Sequence, residues 1–210
     1  MARQERAART RRTLIHAAAL VFAERGYAAA SLGEVSGRAE VSSGALHFHF
    51  PSKRDLAQAV DDAAAEVAHH VVDQASGVSA EPLQQLVGSV YLLARRLAAD
   101  PLLSAGFELG YGPRAVTAGA AHRAWALRVE ETAERAARGG TLAPGVSAGA
   151  AAAAVVTTTT GLHVMGRTDV RWLADCRVEQ LLSVLLPALA EPVTLARLRL
   201  DPLHLAAFAR

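Results

Sequence analysis

Residues Ser42–Phe50, SSGALHFHF, contain the start and end signals of one short helix in the first quarter of the chain. Serine is a favoured helix-capping residue, so Ser42 predicts a helix that begins at Ser43. Pro51 follows the stretch and ends that helix, because proline lacks the backbone N–H that a helix needs. Two histidines, His47 and His49, stand inside this short helix, which raises the question of whether they bind a metal ion.

A metal site at these histidines is not expected. Residues two apart on a helix do not face each other. Zinc sites need three or four ligands at suitable spacing, and no cysteine or second close histidine pair supplies them. His69 and His70 are adjacent and also point apart. We therefore predict neither a metal nor a cofactor. A structural interpretation stays open, in which Leu46, Phe48 and Phe50 pack a small core and the histidines lie outside.

Capping signals on both sides of the stretch predict further short helices. Ser31 and Glu34 have the spacing of a capping box, and so do Ser52 and Asp55. An apolar stripe over residues 9–25 predicts a first helix, which Gly26 would end. Short capped helices separated by a tight turn are typical of a helix-turn-helix.

The remaining sequence predicts longer helices and an all-α fold. Alanine is frequent and β-branched residues are few outside Ala154–Gly161, which favours helix. Punctuation by proline, glycine and capping residues divides this part of the chain. The expected helices cover about residues 55–74, 82–99, 102–109, 115–138, 148–165 and 170–190. The tail over residues 191–210 has scattered leucines and is expected to dock weakly.

Charge is distributed unevenly along a chain of ordinary globular composition, 51% hydrophobic and 20% charged. The first 54 residues carry nine basic and four acidic side chains, a net charge of +5, and the remainder is −3. A basic block on an acidic body is typical of polyanion binding, although a solvated helix face is the alternative. No secretory signal is evident and no apolar run approaches a membrane span, so a cytoplasmic location is expected.

The sequence offers little for catalysis. It contains no Ser-His-Asp signature, phosphate loop or plausible acidic dyad. The adjacent acids Asp61–Asp62 and Glu130–Glu131 are interpreted as solvated helix faces. Cys176, the single cysteine, stands among leucines and is expected to be buried. An enzyme is therefore not expected.

The third helix has the features of a DNA-contacting element. It opens with Ser43, Gly44 and Ala45, whose small side chains allow a helix N-terminus to approach phosphate groups closely. His47, His49 and Lys53 can donate hydrogen bonds to phosphate oxygens, the kind of contact that positions a protein on DNA.

Thr10–Val60, TRRTLIHAAALVFAERGYAAASLGEVSGRAEVSSGALHFHFPSKRDLAQAV, resembles the DNA-binding domain of the TetR family of repressors. Within that family, GALHFHFPSK is similar to the γ-butyrolactone receptors of actinomycetes, which usually have GALYFHFPSK. The resemblance implies a helix-turn-helix DNA-binding domain at residues 8–68, with its motif at about 31–50. It also implies a larger ligand-binding and dimerisation domain at residues 69–210, in a homodimer that leaves its operator when ligand binds.

The resemblance also implies where double-stranded DNA is contacted. The expected DNA-binding residues are Arg6, Ser31, Ser42, Ser43, Gly44, Ala45, His47, His49 and Lys53. Three positions depart from the family pattern: His47 replaces tyrosine, Ser43 replaces a lysine or arginine, and Glu40 replaces a turn glycine. An alternative is therefore a degenerate member that binds a ligand or a partner and binds DNA weakly.

A buried pocket for a small lactone or an antibiotic-like molecule is implied in the body of the protein. The receptors carry a tryptophan at the place of Trp125, packed over the lactone ring, although plain core packing is the alternative. Thr160 is expected to donate a hydrogen bond to ligand, unless the threonines bond back to their own helix. Val87, Val90, Tyr91 and Phe107 are expected to line the pocket. Ala64 stands where the receptors often have glutamine, which leaves room for a different ligand.

The last two helices resemble the dimer interface of the family. Small alanines at residues 150–154 would allow close helix approach. A helix that is apolar on two sides needs cover on two sides. Leu181, Leu182, Leu185 and Leu189 are therefore expected at a homodimer interface.

Overall fold

The computed structural model describes residues 2–112 and 115–200, and within these it is helical, with a single isolated β-bridge between Leu142 and Ala190. The first helices are α1 (Ala2–Ala29), α2 (Leu32–Arg38), α3 (Ser43–His49), α4 (Lys53–Ser76) and α5 (Pro82–Ala99). They are followed by α6 (Pro101–Leu109), α7 (Ala120–Arg138), α8 (Ala148–Gly166), a 3-10 helix (Val170–Leu173), α9 (Asp175–Leu189) and α10 (Pro192–Leu195). The all-α prediction is confirmed.

Side-chain caps set the boundaries of the three short N-terminal elements. The Glu34 amide donates to Ser31 Oγ over 3.1 Å and the Ser31 amide donates back to Glu34 Oε2 over 2.9 Å, a complete capping box. Ser42 Oγ accepts from the Ala45 amide over 3.2 Å at the start of α3. These caps were predicted, and they satisfy backbone donors that a helix start leaves without intrahelical partners.

Gly26 interrupts α1 rather than ending it. Its backbone has φ 73° and ψ 157°, a conformation that glycine adopts far more easily than other residues, and a further helical turn follows to Ala29. The glycine therefore sets the direction in which the chain enters α2.

Contacts divide the chain into two compact units. The first contains residues 1–67 and 100–122, and the second contains residues 68–99 and 123–210. Helix α6 thus packs with the N-terminal helices, mainly α1. The predicted division at residue 68 concerns DNA-binding and ligand-binding roles, and it stays a prediction.

The core of the first unit joins α1, α2, α3 and α4 to α6. The apolar stripe predicted on α1 is buried. The core residues include Leu14, Ile15, Ala18, Phe22, Val35, Leu46, Phe50, Leu56, Val60, Ala105 and Leu109. One predicted core residue is wrong: Phe48 is 81% exposed, because Leu46 and Phe50 already fill the inward side of α3.

Helices α4 and α6 approach so closely that one of them has no side chain at the contact. A Cβ atom placed on Gly106 would lie 2.2 Å from Ala64 Cβ, far inside a normal contact distance. Ala64 itself is fully buried. The alanine at the position of the expected glutamine is therefore a packing residue against α6.

Asp61 determines where α7 begins. Its carboxylate accepts from the Ala120 amide over 2.8 Å and from the Ala121 amide over 3.0 Å, and its side chain is fully buried. Interpreting Asp61 as part of a solvated face was therefore wrong. The cap also explains why α7 starts at Ala120 instead of near residue 115, since the capping carboxylate comes from another helix.

The last predicted long helix is divided in two. Ala174 is extended, with φ −70° and ψ 144°, and separates the 3-10 helix from α9. Asp175, in the first turn of α9, accepts from Arg95 Nε over 2.9 Å and from Arg95 Nη2 over 2.7 Å. Cys176 follows at an exposed position, so its predicted burial is wrong for the single chain.

Helix α8 is more apolar than expected. Within the described part of the chain it alone is long and apolar enough, by length and composition, to cross a membrane, and about a third of it is buried inside the protein. The expectation that no apolar run approaches this length was wrong for α8. Alanine supplies much of the apolar character, and the same composition is found in helices covered by protein on both sides.

The C-terminal segment docks on the start of α5. Gln84 Nε2 donates to the Arg199 carbonyl over 3.0 Å and Gln84 Oε1 accepts from the Arg199 amide over 2.8 Å. Tyr91 donates its hydroxyl to the Leu200 carbonyl over 2.8 Å. Docking of the tail was predicted, and its last ten residues lie outside the described residues.

Candidate nucleic-acid interface and ligand site

One side of α3 presents a polar and small surface to solvent. Ser43, Gly44 and His47 are exposed, as is the capping residue Ser42, while Leu46 faces the core. Ala45 and His49 are half-buried. Residues 43 and 47 and residues 44 and 48 are four apart, so these side chains share one face of the helix. Three of the predicted DNA-contacting residues of α3, Ser43, Gly44 and His47, are thus exposed on one side of the helix.

Other predicted DNA-binding residues have different surroundings. Arg6 is exposed on α1. Ser31 is exposed but its hydroxyl is used in the capping box, where it donates to Glu34 Oε2 over 3.0 Å. This engagement makes Ser31 a structural residue first.

Lys53 makes its side-chain contacts within the first unit. Its Nζ donates to the carbonyls of Ala28 over 3.2 Å and Ala30 over 2.7 Å, and lies 4.4 Å from the centre of the Tyr27 ring. Lysine has three donors, so one remains for another acceptor. The ammonium group joins the start of α4 to the end of α1, a role that sequence patterns did not indicate.

The turn between α2 and α3 contains Glu40 in a left-handed conformation. Its φ is 54°, the only positive φ at a non-glycine residue among those described, and its side chain is exposed. Its amide donates to the Gly37 carbonyl over 3.2 Å, and the Val41 amide donates to the Ser36 carbonyl over 3.0 Å. The hydrogen bonds of this turn are thus formed with a charged residue at the left-handed position.

Ion pairs fasten α1 to α2 behind this surface. Arg38 pairs with Glu24, and this hydrogen bond lowers the pKa of Glu24. Arg25 Nε lies 3.1 Å from Glu34 Oε1. The pKa of Glu34 is lowered chiefly by the hydrogen bonds from the Ser31 amide and hydroxyl. The negative charges of Glu24 and Glu34 are balanced by the paired arginines, so they contribute little negative potential at the α3 surface.

Trp125 and its partner form the centre of the predicted ligand region. Trp125 is 1% exposed, and its indole N–H donates to Thr159 Oγ1 over 2.9 Å. Thr159 donates in turn to carbonyls of its own helix, at Val155 and Val156. The residue that meets Trp125 is therefore Thr159, while the predicted Thr160 is half-buried. The sequence alone does not show which side of α8 faces Trp125, so it could not distinguish Thr159 from Thr160.

The remaining predicted ligand residues are buried, but not all in the same unit. Val87, Val90 and Tyr91 lie on one face of α5 and are at most 2% exposed. Phe107 belongs to the first unit, where its ring centroid lies 4.4 Å from that of His122. Burial against apolar surroundings lowers the pKa of His122. The structure brings the α5 residues together, and Phe107 contributes to packing around His122.

A cavity of about 390 Å³ lies elsewhere in the second unit, beside the docked tail. Polar and charged residues predominate along it, and one carboxylate oxygen of Glu81 is buried without a hydrogen-bond partner. The lining residues are Ser79, Glu81, Gln84, Thr141, Thr194, Arg197, Leu198 and Arg199. The atoms that these residues expose to the cavity are nevertheless mainly apolar, as in most small-molecule pockets.

The predicted dimer residues divide between inside and outside. Leu182 and Leu189 are buried within the chain, at 2% and 7% exposure, so their place at an interface stays a prediction that their burial does not support. Leu181 and Leu185 are half-buried. Val184, which was not predicted, is 79% exposed on α9. The outward stripe of α9 is therefore shifted around the helix relative to the predicted one.

Metal binding is not indicated in residues 2–112 and 115–200, where no three His, Cys, Asp or Glu side chains come close enough to hold an ion. His47 and His49 differ in exposure and have other surroundings: the His49 ring packs edge-on against Phe48, with centroids 5.2 Å apart.

Comparison with known proteins gives consistent relatives. Residues 14–60 match the family described as bacterial regulatory proteins, tetR family. The chain is 33% identical over 208 residues to the A-factor receptor protein of Streptomyces griseus, a match that covers 95% of this chain and 70% of that protein.

Solved structures extend the likeness over the whole chain. Full-length TylP, a TetR regulator from Streptomyces fradiae, superimposes with a TM-score of 0.77 at 31% identity, over 96% of this chain and 98% of that chain. CprB from Streptomyces coelicolor, solved with its operator sequence, superimposes with a TM-score of 0.72 at 26% identity, over 98% of this chain and 97% of that chain.

Proposed function

The chain belongs to the TetR family of bacterial regulatory proteins, and from this membership we propose that it is a ligand-responsive repressor that binds operator DNA as a dimer. Like its relatives, it is a regulator and not an enzyme. The observation that carries the proposal is the exposed face of α3, where Ser43, Gly44 and His47 point outward from the segment that matches the family.

The α3 face is suited to phosphate contacts. Ser42 and Ser43 carry hydroxyl donors, and His47 donates from either ring nitrogen when protonated. Gly44 leaves room for close approach of the DNA backbone. Arg6 and the other basic residues among the first 54, which have a net charge of +5, add electrostatic attraction to the DNA backbone. His49 and Lys53 contribute less, because both are half-buried.

A small lactone or antibiotic-like molecule is the proposed ligand. The A-factor receptor protein is a relative over most of the chain, and its name states a receptor role. Trp125 on α7 is buried and donates to Thr159 on α8, so this region combines an apolar ring with few polar groups, as a pocket for an apolar ligand requires. Ligand binding near Trp125 and Thr160 would favour the conformation that does not bind DNA.

Dimerisation is proposed through the outward faces of α8 and α9. These faces carry small or apolar side chains that are exposed in the single chain, such as Ala153, Val164 and Val184. A two-fold dimer binds two similar half-sites, so the operator is expected to be a pseudo-palindrome. A DNA-bound regulator of this kind acts in the cytoplasm.

Weak DNA binding remains a second candidate because specific residues favour it. Ser43 is uncharged, and Lys53 donates two of its hydrogen bonds to backbone carbonyls of the protein itself. Glu40 places a negative charge in the turn beside α3. A protein with this head could bind its ligand and leave DNA largely unoccupied.

Capture of genomic DNA fragments from the source organism by the full-length protein tests the two candidates. Enrichment of fragments that share a pseudo-palindrome supports the repressor, and a folded dimer that enriches no fragment supports the second candidate. His47→Ala is the matched variant, since an exposed side chain is removed from the α3 face with little expected cost in stability. Release of the enriched fragment by extracts of the organism then tests ligand response.

A further inference from the structure

Phe48 is the most exposed large apolar side chain of the described residues, at 81%. It lies between His47 and His49 near the end of α3, four residues after Gly44 and therefore on the same outward face. Its neighbours in sequence with the same chemistry are buried, Leu46 at 1% and Phe50 at 2%. The core of the first unit is complete without this ring.

A single exposed apolar residue needs no explanation by itself. The position of Phe48 gives it one, because the ring projects from the surface that carries the phosphate donors. In a helix-turn-helix the second helix lies in the major groove, where its exposed side chains can reach base edges as well as phosphates. Among these edges, thymine displays a methyl group, and apolar side chains recognise it by contact.

The composition of α3 strengthens this assignment. Its sequence is SGALHFH, without the arginine, lysine, asparagine or glutamine that make the common bidentate contacts to guanine and adenine. Ser43 and the two histidines are left as polar side chains, and Phe48 is the largest exposed group. The ring contacts His49 edge-on, with centroids 5.2 Å apart and planes at 80°, which restricts its orientation.

We propose that Phe48 is a specificity-determining residue that contacts the 5-methyl group of a thymine in each half-site of the operator. The inference rests on the proposed DNA-binding function and adds a base contact to its phosphate contacts. A phenyl ring neither donates nor accepts a hydrogen bond, so a cytosine or adenine amino group facing it would lose its hydration without gaining a partner.

Replacement of thymine by deoxyuridine tests the contact, because it removes only the methyl group. Duplexes are selected from a random-sequence library with the full-length wild-type protein, and each thymine of the selected site is then replaced in turn. For wild type, we expect affinity to fall about fourfold at one thymine per half-site, the ratio for burial of one methyl group. The Phe48→Ala variant should bind the thymine and deoxyuridine duplexes equally.

Two further variants complete the design. Phe48→Leu keeps an apolar side chain and should retain part of the discrimination. Leu127→Ala removes another exposed apolar side chain, 52% exposed on α7, and should discriminate as wild type does. Thermal unfolding of each variant verifies that the fold is kept, as expected for positions on the surface.

The outcomes separate this inference from the function it rests on. A selected site with no deoxyuridine-sensitive position, or equal sensitivity in wild type and Phe48→Ala, would overturn the thymine contact and leave DNA binding intact. A library from which nothing is selected would overturn both. A Phe48→Ala variant that changes oligomeric state but not base preference would assign the ring to a protein contact instead.

Discussion

At the scale of single residues, Glu40 carries a backbone cost that its position in the turn imposes. A left-handed conformation costs an L-residue about 1 kcal/mol more than it costs glycine. We expect Glu40→Gly to raise the free energy of unfolding by about 1 kcal/mol, measured by urea denaturation.

Glu40→Ala separates the backbone from the charge. Alanine removes the carboxylate but keeps the Cβ atom, so it should leave most of the backbone cost in place. If Glu40→Ala stabilises the protein as much as Glu40→Gly does, the gain comes from the charge, and the turn is not strained.

Trp125 allows a ligand test that leaves the fold standing. Alanine at this buried position would cost about 3–5 kcal/mol, so phenylalanine is the better substitution. Trp125→Phe removes the indole N–H that donates a hydrogen bond to Thr159. The substitution should lower the free energy of unfolding by about 1–2 kcal/mol. If the ring covers the ligand, the ligand concentration that releases DNA should rise about tenfold, which corresponds to 1.4 kcal/mol of lost contact.

The second tryptophan is the matched control for that measurement. Trp172 lies on the 3-10 helix, where Arg177 packs 5.4 Å from its ring centre. Trp172→Phe should release DNA at the wild-type ligand concentration. A wild-type response from Trp125→Phe as well would make Trp125 a core residue without a ligand role.

At the scale of elements, the capping box of α2 predicts a dependence of stability on pH. The pKa of Glu34 is lowered in the folded protein, so its contribution is present above the unfolded value, near 4.5, and is lost as pH falls through the lower folded value. Wild type should therefore have a higher Tm than Glu34→Gln at pH 7, and the difference should be smaller at pH 3.

An exposed acid outside any cap serves as the comparison. Glu130→Gln on α7 should change Tm little at either pH, since Glu130 is exposed at the surface. A Tm difference for Glu34→Gln that persists unchanged at pH 3 would show that the carboxylate charge contributes nothing to the cap.

Elements with local signals were predicted well, and those set by distant residues were not. Ser31, Ser42 and Ser147 cap their own helices within three residues, so the sequence alone indicates where α2, α3 and α8 begin. The start of α7 depends on Asp61, about sixty residues earlier in the chain. No local pattern carries that information.

At the scale of the whole molecule, dimerisation can be tested at Val184, the most exposed large apolar residue of α9. A charge buried in an apolar interface without a partner costs about 3–5 kcal/mol. Val184→Glu should therefore weaken the dimer more than a hundredfold and give a monomer in sedimentation at micromolar concentration. Val193→Glu, 56% exposed on α10, should stay dimeric.

Cys176 provides an independent measurement of the same interface. It is exposed in the single chain and lies on α9. In a dimer formed through this helix, its reaction with a thiol reagent should be slower than in Val184→Glu. Equal reaction rates, with wild type dimeric, would place the interface elsewhere.

The candidate site was predictable where it coincides with a family pattern. The polar face of α3 follows from helix spacing and the Ser42 cap. The exposure of Phe48 and the internal role of Lys53 do not, because they depend on which side chains the core has already accommodated. The rotation of α8 and α9, which decides between Thr159 and Thr160 and between Leu182 and Val184, is likewise a property of tertiary packing.

The contact between Gly106 and Ala64 constrains the order in which this protein could accumulate mutations. Alanine at 106 would place two methyl carbons 2.2 Å apart, whereas glycine at 64 first would open the space it needs. The exchanged pair, glycine at 64 and alanine at 106, can be reached in two orders. Changing Gly106 first creates the clash, and changing Ala64 first leaves a small cavity. Drift at this helix crossing therefore has a preferred direction, with the change on α4 coming before the change on α6.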